Sequence, residues 1–570
     1  MLTVINEKES AKYLYIGSFL TTIFVISNIV TDPVNVTKHF LLGATAFGAL
    51  GAMGLTGLRL AWIDSKIYLI FSALFIIFML NAVFNSDSPL EQNIYGTYGR
   101  NTGFVAYLSL AIVAICASVL RQKNSFERLI YGIFAAGFAN VFYCLWAWIF
   151  GDFIGWSNVY NTILGTFGNP NFIGAFLGIF ISTLFAYVVA PKTNNIFRIF
   201  SLITILIGFA EIKHSHAVQG IAVTVAGFTL VIFYLIRHNF KGWLVPILYS
   251  GVVAVVGFVA LMGALQKGPL TSFIYKTSVS LRGEYWKAGI NMAEKFPFTG
   301  VGMDAYGDWF RRMREDSAII MPGPNTVSNA AHNVNIDILA YGGFPLFLSY
   351  VALISLTLIA ILKMSLRVRK YDALFVSLTT GWVCYQIQAV ISINQIGLAI
   401  WGWLFSGAII AYEVSTRNSV ANENIDLAKK PNNKKINNQS FRVFSPQLLG
   451  GLGLIFGMLV AVPPLSADMA WRSALKNSSI EAATKSLEPG YLRPSNSYRI
   501  SMGAYLFEQN KLYDLAYKYA KASTAFNPQN FDAWKMLYYA TNTPKNEKDL
   551  ALAQMKLLDP KNPNVLDGPK

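Results

Sequence analysis

Most of this chain is written in uncharged apolar runs about as long as a bilayer is thick. They fall near residues 13–31, 38–57, 66–84, 102–120, 129–150, 169–190, 197–212, 217–236, 243–263, 333–362, 372–391, 397–413 and 446–464. A helix needs about 20 such residues to cross the hydrocarbon core. No water is available there to satisfy an open backbone, so these runs read as helices. The expectation is an all-α, polytopic membrane protein with about 13 transmembrane helices. Composition agrees, with 13% charged and 54% hydrophobic residues against about 25% charged in an ordinary soluble domain. Cys116, Cys144 and Cys384 all lie inside apolar runs. They are too scattered for a metal site, and no disulfide is expected. No cleavable signal peptide is expected either, because the first run lacks a small-residue cleavage site.

The net charge of +16 points to topology rather than to nucleic acid. With the N-terminus in the cytoplasm, the inside segments hold 21 lysines and arginines, and the short outside loops hold three, Lys38, Arg100 and Lys213. This is the positive-inside asymmetry of a plasma-membrane protein. The expected organisation is transmembrane helices over 1–263, a large extracytoplasmic loop over 264–332 with amphipathic helices, and further spans over 333–413. An Asn- and Lys-rich flexible cytoplasmic linker over 414–445, a last span over 446–466 and a soluble extracytoplasmic helical domain over 467–570 complete it. Pro528 and Pro560 each end a helical segment, at a spacing close to the ~34-residue tetratricopeptide period. Two or three degenerate repeats of that kind fit, as does an ordinary helical bundle; such repeats bind protein partners.

The polar motifs gather on the outer side: YGTYGRNTG (95–103), GTFGNPNFIG (165–174), KHSHAVQG (213–220), the 280–306 stretch beginning SLRGEYWKAG, and AHNVNIDILAYGG (331–343). Arg282, Tyr285, Trp286 and Gly289 share one helical face, which suits either phosphate binding through a planar guanidinium or an arginine snorkelling at an interface. Arg100 stands on the side where cations are scarce, which favours a function for it. Asn169 reads first as a helix cap with Pro170 in the first turn, although a binding role for Asn169 and Asn171 is open. His214 and His216 have no third ligand nearby, so no metal is expected. His332 suits proton transfer near neutral pH, or it simply marks a wet helix end. Asn333 and Asp337, four apart, share a face of the helix that follows.

Together these residues resemble the O-antigen ligase/polymerase superfamily of polytopic membrane glycosyltransferases, the Wzy-C type. The resemblance covers about 95–410. It rests on Gly99-Arg100-Asn101-x-Gly103, Gly168-Asn169-Pro170-Asn171, Arg282-x-x-Tyr285-Trp286, Gly300-x-Gly302, and His332-Asn333 with Gly343 after nine residues. Leu346 stands where a further glycine is usual, and Ser215-His216 where Ser-Arg is frequent. The resemblance implies transfer or polymerisation of an undecaprenyl-diphosphate-linked glycan at the outer membrane face, onto a glycan, lipid or protein acceptor. It implies no cofactor. Arg100 and Arg282 would hold the diphosphate and His332 would contact the acceptor hydroxyl. Asn333, Asp337, Tyr285, Trp286, Asn169, Asn171, Ser215 and Gln219 would contact or organise substrate. The competing readings are a polytopic transporter or lipid-linked glycan flippase, and a scaffold acting through the C-terminal repeats. Few charges lie deep in the spans and no internal repeat is evident, which disfavours transport.

Overall fold

The computed structural model describes residues 4–265, 267–269, 271, 277–426 and 444–566. Residues 427–443, most of the expected linker, and 266, 270 and 272–276 of the expected large loop lie outside the described residues.

The described residues form helices and no strand. The first ten are α1 (Val4–Ile23), α2 (Asn35–Asp64), α3 (Lys66–Asn85), α4 (Leu90–Tyr95), α5 (Phe104–Ser118), α6 (Lys123–Phe150), α7 (Pro170–Val188), α8 (Asn195–His214), α9 (Val218–Asn239) and α10 (Leu244–Ala264). Then come α11 (Thr277–Lys295), α12 (Tyr306–Met313), α13 (Asp316–Ile320), α14 (Val334–Arg367), α15 (Ala373–Ile391), α16 (Ile396–Asp426) and α17 (Pro446–Asn477). The C-terminal helices are α18 (Ile480–Leu487), α19 (Ser497–Gln509), α20 (Tyr513–Phe526), α21 (Phe531–Tyr539), α22 (Lys545–Leu558) and α23 (Pro563–Leu566).

Every predicted run meets a helix, and among the described residues 11 helices are long and apolar enough to cross a membrane. This is a multi-pass membrane protein. The two remaining predicted spans differ from expectation. Helix α5 is apolar but only 15 residues long. Helix α1 carries Glu7, Lys8, Glu9 and Lys12 and stops at Ile23, where the apolar run predicts continuation to residue 31. It stops because the next segment is claimed elsewhere. Asn28 turns the backbone at φ 69°, and Asp468 of α17 accepts the backbone N–H groups of Thr31 (2.7 Å) and Asp32 (2.9 Å). Lys38, expected in an outside loop, is fully buried in α2. Its ammonium donates to the Thr21 and Thr22 carbonyls at the C-terminus of α1, where a helix end favours a cation.

Helix α14 is broken, at Gly342 and at Gly343 (φ 65°, ψ −163°). Pro345 has no N–H to return to the Tyr341 carbonyl, and the break frees the Ala340 carbonyl as well. The loop after α11 closes both openings. Val301 N–H donates to Ala340 O (2.9 Å) and Gly302 N–H to Tyr341 O (3.1 Å), while Phe344 N–H donates to Pro297 O (2.8 Å). A Cβ on Gly343 would lie 2.2 Å from Pro297 O. Helix α17 repeats the solution on a smaller scale. Pro463 opens the Leu459 carbonyl, and the Tyr491 hydroxyl donates to it. Helix α17 also packs closely on α2, where a Cβ on Gly457 would lie 2.3 Å from Gly43 O, the small-residue contact usual between membrane helices.

The helices after α17 pack in consecutive pairs, α19 with α20 and α21 with α22. They dock on α12 through two related turns, Asn527-Pro528-Gln529-Asn530 and Asp559-Pro560-Lys561-Asn562, 32 residues apart. Asn527 and Asn530 donate to Asp308 at 3.1 and 2.8 Å. Asp559 accepts Arg311 at 3.0 Å and pairs with fully buried Arg314.

Two outcomes follow. Gly343→Ala lowers stability in detergent by about 1–3 kcal/mol or more, seen as a lower thermal midpoint. Gly251→Ala, on α10 with nothing within 4 Å of its Cβ, does not lower the midpoint. Asp559→Ala strands two guanidiniums, one of them fully buried, and costs about 3–5 kcal/mol of docking, read as faster limited proteolysis after residue 480.

Candidate functional site

The loops at one end of the bundle enclose a cavity of about 830 Å³. Its walls come from distant parts of the chain: the 27–35 turn, Gly99-Arg100, the 164–172 turn, α11, His332, the 392–395 turn and α17. Of the residues singled out in the sequence, Arg100, Asn169, Asn171, Gln219, Arg282, Tyr285 and His332 line it.

Arg100 is held rather than free. Its Nε lies 3.5 Å from Asp304, its guanidinium donates to Asn329 O, and Nη2 meets the Tyr341 hydroxyl at 3.2 Å. Asp304 organises this wall. It accepts Thr97 N–H (2.9 Å) and the Thr97 hydroxyl (3.1 Å), tying the 96–103 loop to the 300–306 loop. Asn101, Asp304 and His332 all have positive φ, between 54° and 56°. Such non-glycine strain concentrates where a site is held in shape.

Arg282 and Tyr285 project from α11. Burial pushes the Arg282 pKa below its ordinary value, with Tyr285 opposing; a guanidinium nonetheless stays charged. The Tyr285 ring lies 5.6 Å from the His332 imidazole, tilted by 32°. His332 has its pKa lowered to about 4, first by burial and then by Arg282 and Arg100. The imidazole is therefore neutral at pH 7 with a lone pair available.

The other sequence candidates serve the scaffold. Asn333 caps α14, accepting from Asn335 and Ile336 N–H. Asp337 is fully buried and accepts Ala331 N–H at 2.7 Å instead of holding the imidazole. Both therefore set the backbone that presents His332. Trp286 packs against the core beside α11 and does not line the cavity. The Ser215 hydroxyl is spent on Ile212 O (2.7 Å) in the α8–α9 turn. Asn169 is the cap of α7, accepting from Asn171 N–H at 2.9 Å, and still borders the cavity. The Gln219 amide donates to Asn171 O (3.0 Å) and leaves its own oxygen shielded and unpaired. His214 stacks on Trp148 at 4.3 Å, and the described residues contain no cluster of three metal-ligating side chains.

Sequence reasoning missed Arg472, Asn394 and Gln395, which also line the cavity. Arg472 sits past the predicted end of the last span, on the continuation of α17. Its Nε is shielded without a partner. Neither Arg472 nor Arg282 has an ion-pair partner among the described residues. The available signal was the one that marked Arg100, an arginine on the cation-poor side.

Residues 214–351 match the family model for O-Antigen ligase, Wzy_C. No curated protein matches the chain. The matched segment runs from the α8–α9 turn to the middle of α14, so it carries Arg282, Tyr285, His332 and the break at Gly342-Gly343. Arg100 and Arg472 lie outside it. The match supports the superfamily and, with it, a membrane glycan ligase or polymerase role.

The lowered His332 pKa has a consequence for stability. The unfolded chain takes up this proton near pH 6.5, the folded chain only near 4. Stability therefore falls as pH drops through that window and is unaffected above it. His332→Gln removes this part of the slope, measured as thermal midpoints in detergent at pH 7 and pH 5.

Proposed function

We propose that the protein transfers a glycan from an undecaprenyl-diphosphate carrier to an acceptor hydroxyl at the outer face of the plasma membrane. One observation carries this reading: three arginines, Arg100, Arg282 and Arg472, face one cavity beside a neutral imidazole, with Asp32 the one carboxylate among the described residues that line it. Such an excess of cations suits a ligand with several negative charges. The reaction requires charge stabilisation on the leaving diphosphate as its bond to the sugar breaks, and preorganised guanidiniums provide it. Arg282 and Arg472, unpaired, take the diphosphate. Arg100, anchored to Asp304, fixes the wall beside them.

The acceptor oxygen forms the new bond to the anomeric carbon, the electron pair of the broken bond leaves on the diphosphate, and His332 takes the acceptor's proton. Burial first, and then the Arg282 and Arg100 guanidiniums, depress the basicity of His332. A diphosphate held by Arg282 offsets that guanidinium and raises the basicity. Donor binding thus makes the histidine a stronger base. Under this reading the helices over 480–566 are degenerate tetratricopeptide-like repeats beside the acceptor entrance.

The test uses purified protein in detergent, with geranylgeranyl diphosphate as the donor-end probe and lipid-linked glycan for turnover. Arg472→Ala and Arg282→Lys each weaken diphosphate binding about tenfold or more, because one loses a charge-assisted contact and the other its fork geometry. His332→Ala abolishes transfer and leaves binding intact. The His332 pKa rises when the probe binds. Wild-type turnover in His332→Ala, or failure of the wild type to bind the probe, overturns the reading.

A further inference from the structure

A second cavity, of about 380 Å³, lies between the C-terminal helices and the loops of the membrane part. The 97–100 segment borders both cavities. Thr97 and Tyr98 line the second cavity, Gly99 and Arg100 the first. Asn329 lines the second, and its carbonyl accepts from Arg100 in the first. The Tyr98 hydroxyl reaches through to Thr31, a residue of the first cavity.

The chemistry of the two cavities is opposite. Ions in the second are already matched: Arg311 pairs with Asp559 and stands 3.8 Å from Asp532, and Asp308 accepts from Gln92, Asn527 and Asn530. What remains for a ligand is aromatic face and short polar side chains. Helix α19 supplies most of it. Tyr498, Ser501, Met502 and Tyr505, at i, i+3, i+4 and i+7, all line the cavity, whereas Ile500, Gly503, Ala504 and Phe507 form the helix's buried face. Tyr498 and Tyr505 are 47% and 48% exposed, and Tyr498 stacks flat on Tyr98 at 4.5 Å. A rigid aromatic platform rimmed by Asn, Ser and Asp suits a polyhydroxylated, uncharged ring, whose C–H face stacks and whose hydroxyls hydrogen-bond. The volume lies at the lower end of small-ligand sites, enough for a few sugar rings.

We propose that this cavity is a saccharide subsite that holds an uncharged stretch of glycan while the carrier diphosphate occupies the first cavity. The proposal rests on the glycan-transfer reading for its ligand, and the C-terminal helices become part of the substrate-binding surface.

The experiment titrates full-length protein with a lipid-free, phosphate-free oligosaccharide released from the host's own surface polysaccharide, followed by calorimetry. The wild type binds it, Tyr505→Ala binds about tenfold more weakly or worse, and Tyr505→Phe, which keeps the ring face, stays close to wild type. All three bind geranylgeranyl diphosphate equally, which separates this proposal from the diphosphate reading. A wild type that takes the diphosphate but no oligosaccharide overturns the subsite alone, as does an unchanged Tyr505→Ala. Tryptic peptides of envelope proteins binding in place of the oligosaccharide also overturn it. Repeating the titration after loading lipid-linked donor assigns the source. Displacement of the oligosaccharide means the subsite holds the donor's chain, and persistence means it holds the acceptor's.

Discussion

A broken helix inside a bilayer must find partners for every backbone group it frees, and the break in α14 governs this structure. Each open carbonyl in hydrocarbon costs several kcal/mol. The Ala340 and Tyr341 carbonyls meet that requirement with Val301 and Gly302 N–H, and the α11–α12 loop is thereby pinned to one depth. The pinning places Asp304, two residues on, against Thr97 and Arg100. From there the order passes to the cavity wall. The glycines at 300 and 343 are consequences of the same contact, because a Cβ on either would overlap the opposing backbone within 2.3 Å.

Burial gives the cationic side chains different fates. Lys38 is consumed by the carbonyls ending α1, and Arg314 by Asp559. Arg100 is partly consumed, by Asp304. Among the described residues that line the larger cavity, Arg282 and Arg472 have no ion-pair partner.

The helices were legible because hydropathy over about 20 residues is a one-dimensional property. Their ends were less so. Nothing in the run over 13–31 shows that Asp468, more than 400 residues later, claims Thr31 and Asp32. At the site, residue type and the shared side of the membrane singled out Arg100, Arg282 and His332, and all three line one cavity. Residue type could not say which polar groups are already spent. Asn333 and Asp337 look as chemical as His332 in sequence, and both are committed to the backbone around it. Arg472 was hidden for the opposite reason. It follows an apolar run whose helix continues past the hydrophobic signal.

The two proline turns that hold the C-terminal helices to α12 sit 32 residues apart on one rigid array. One turn docks through amides on Asp308 and the other through the Asp559 ion pairs. Joined, each keeps the other at a high effective concentration. The attachment therefore behaves as a bivalent latch. The crevice beside Tyr98 and Tyr498 lies between the helices so held and the loops of the membrane part.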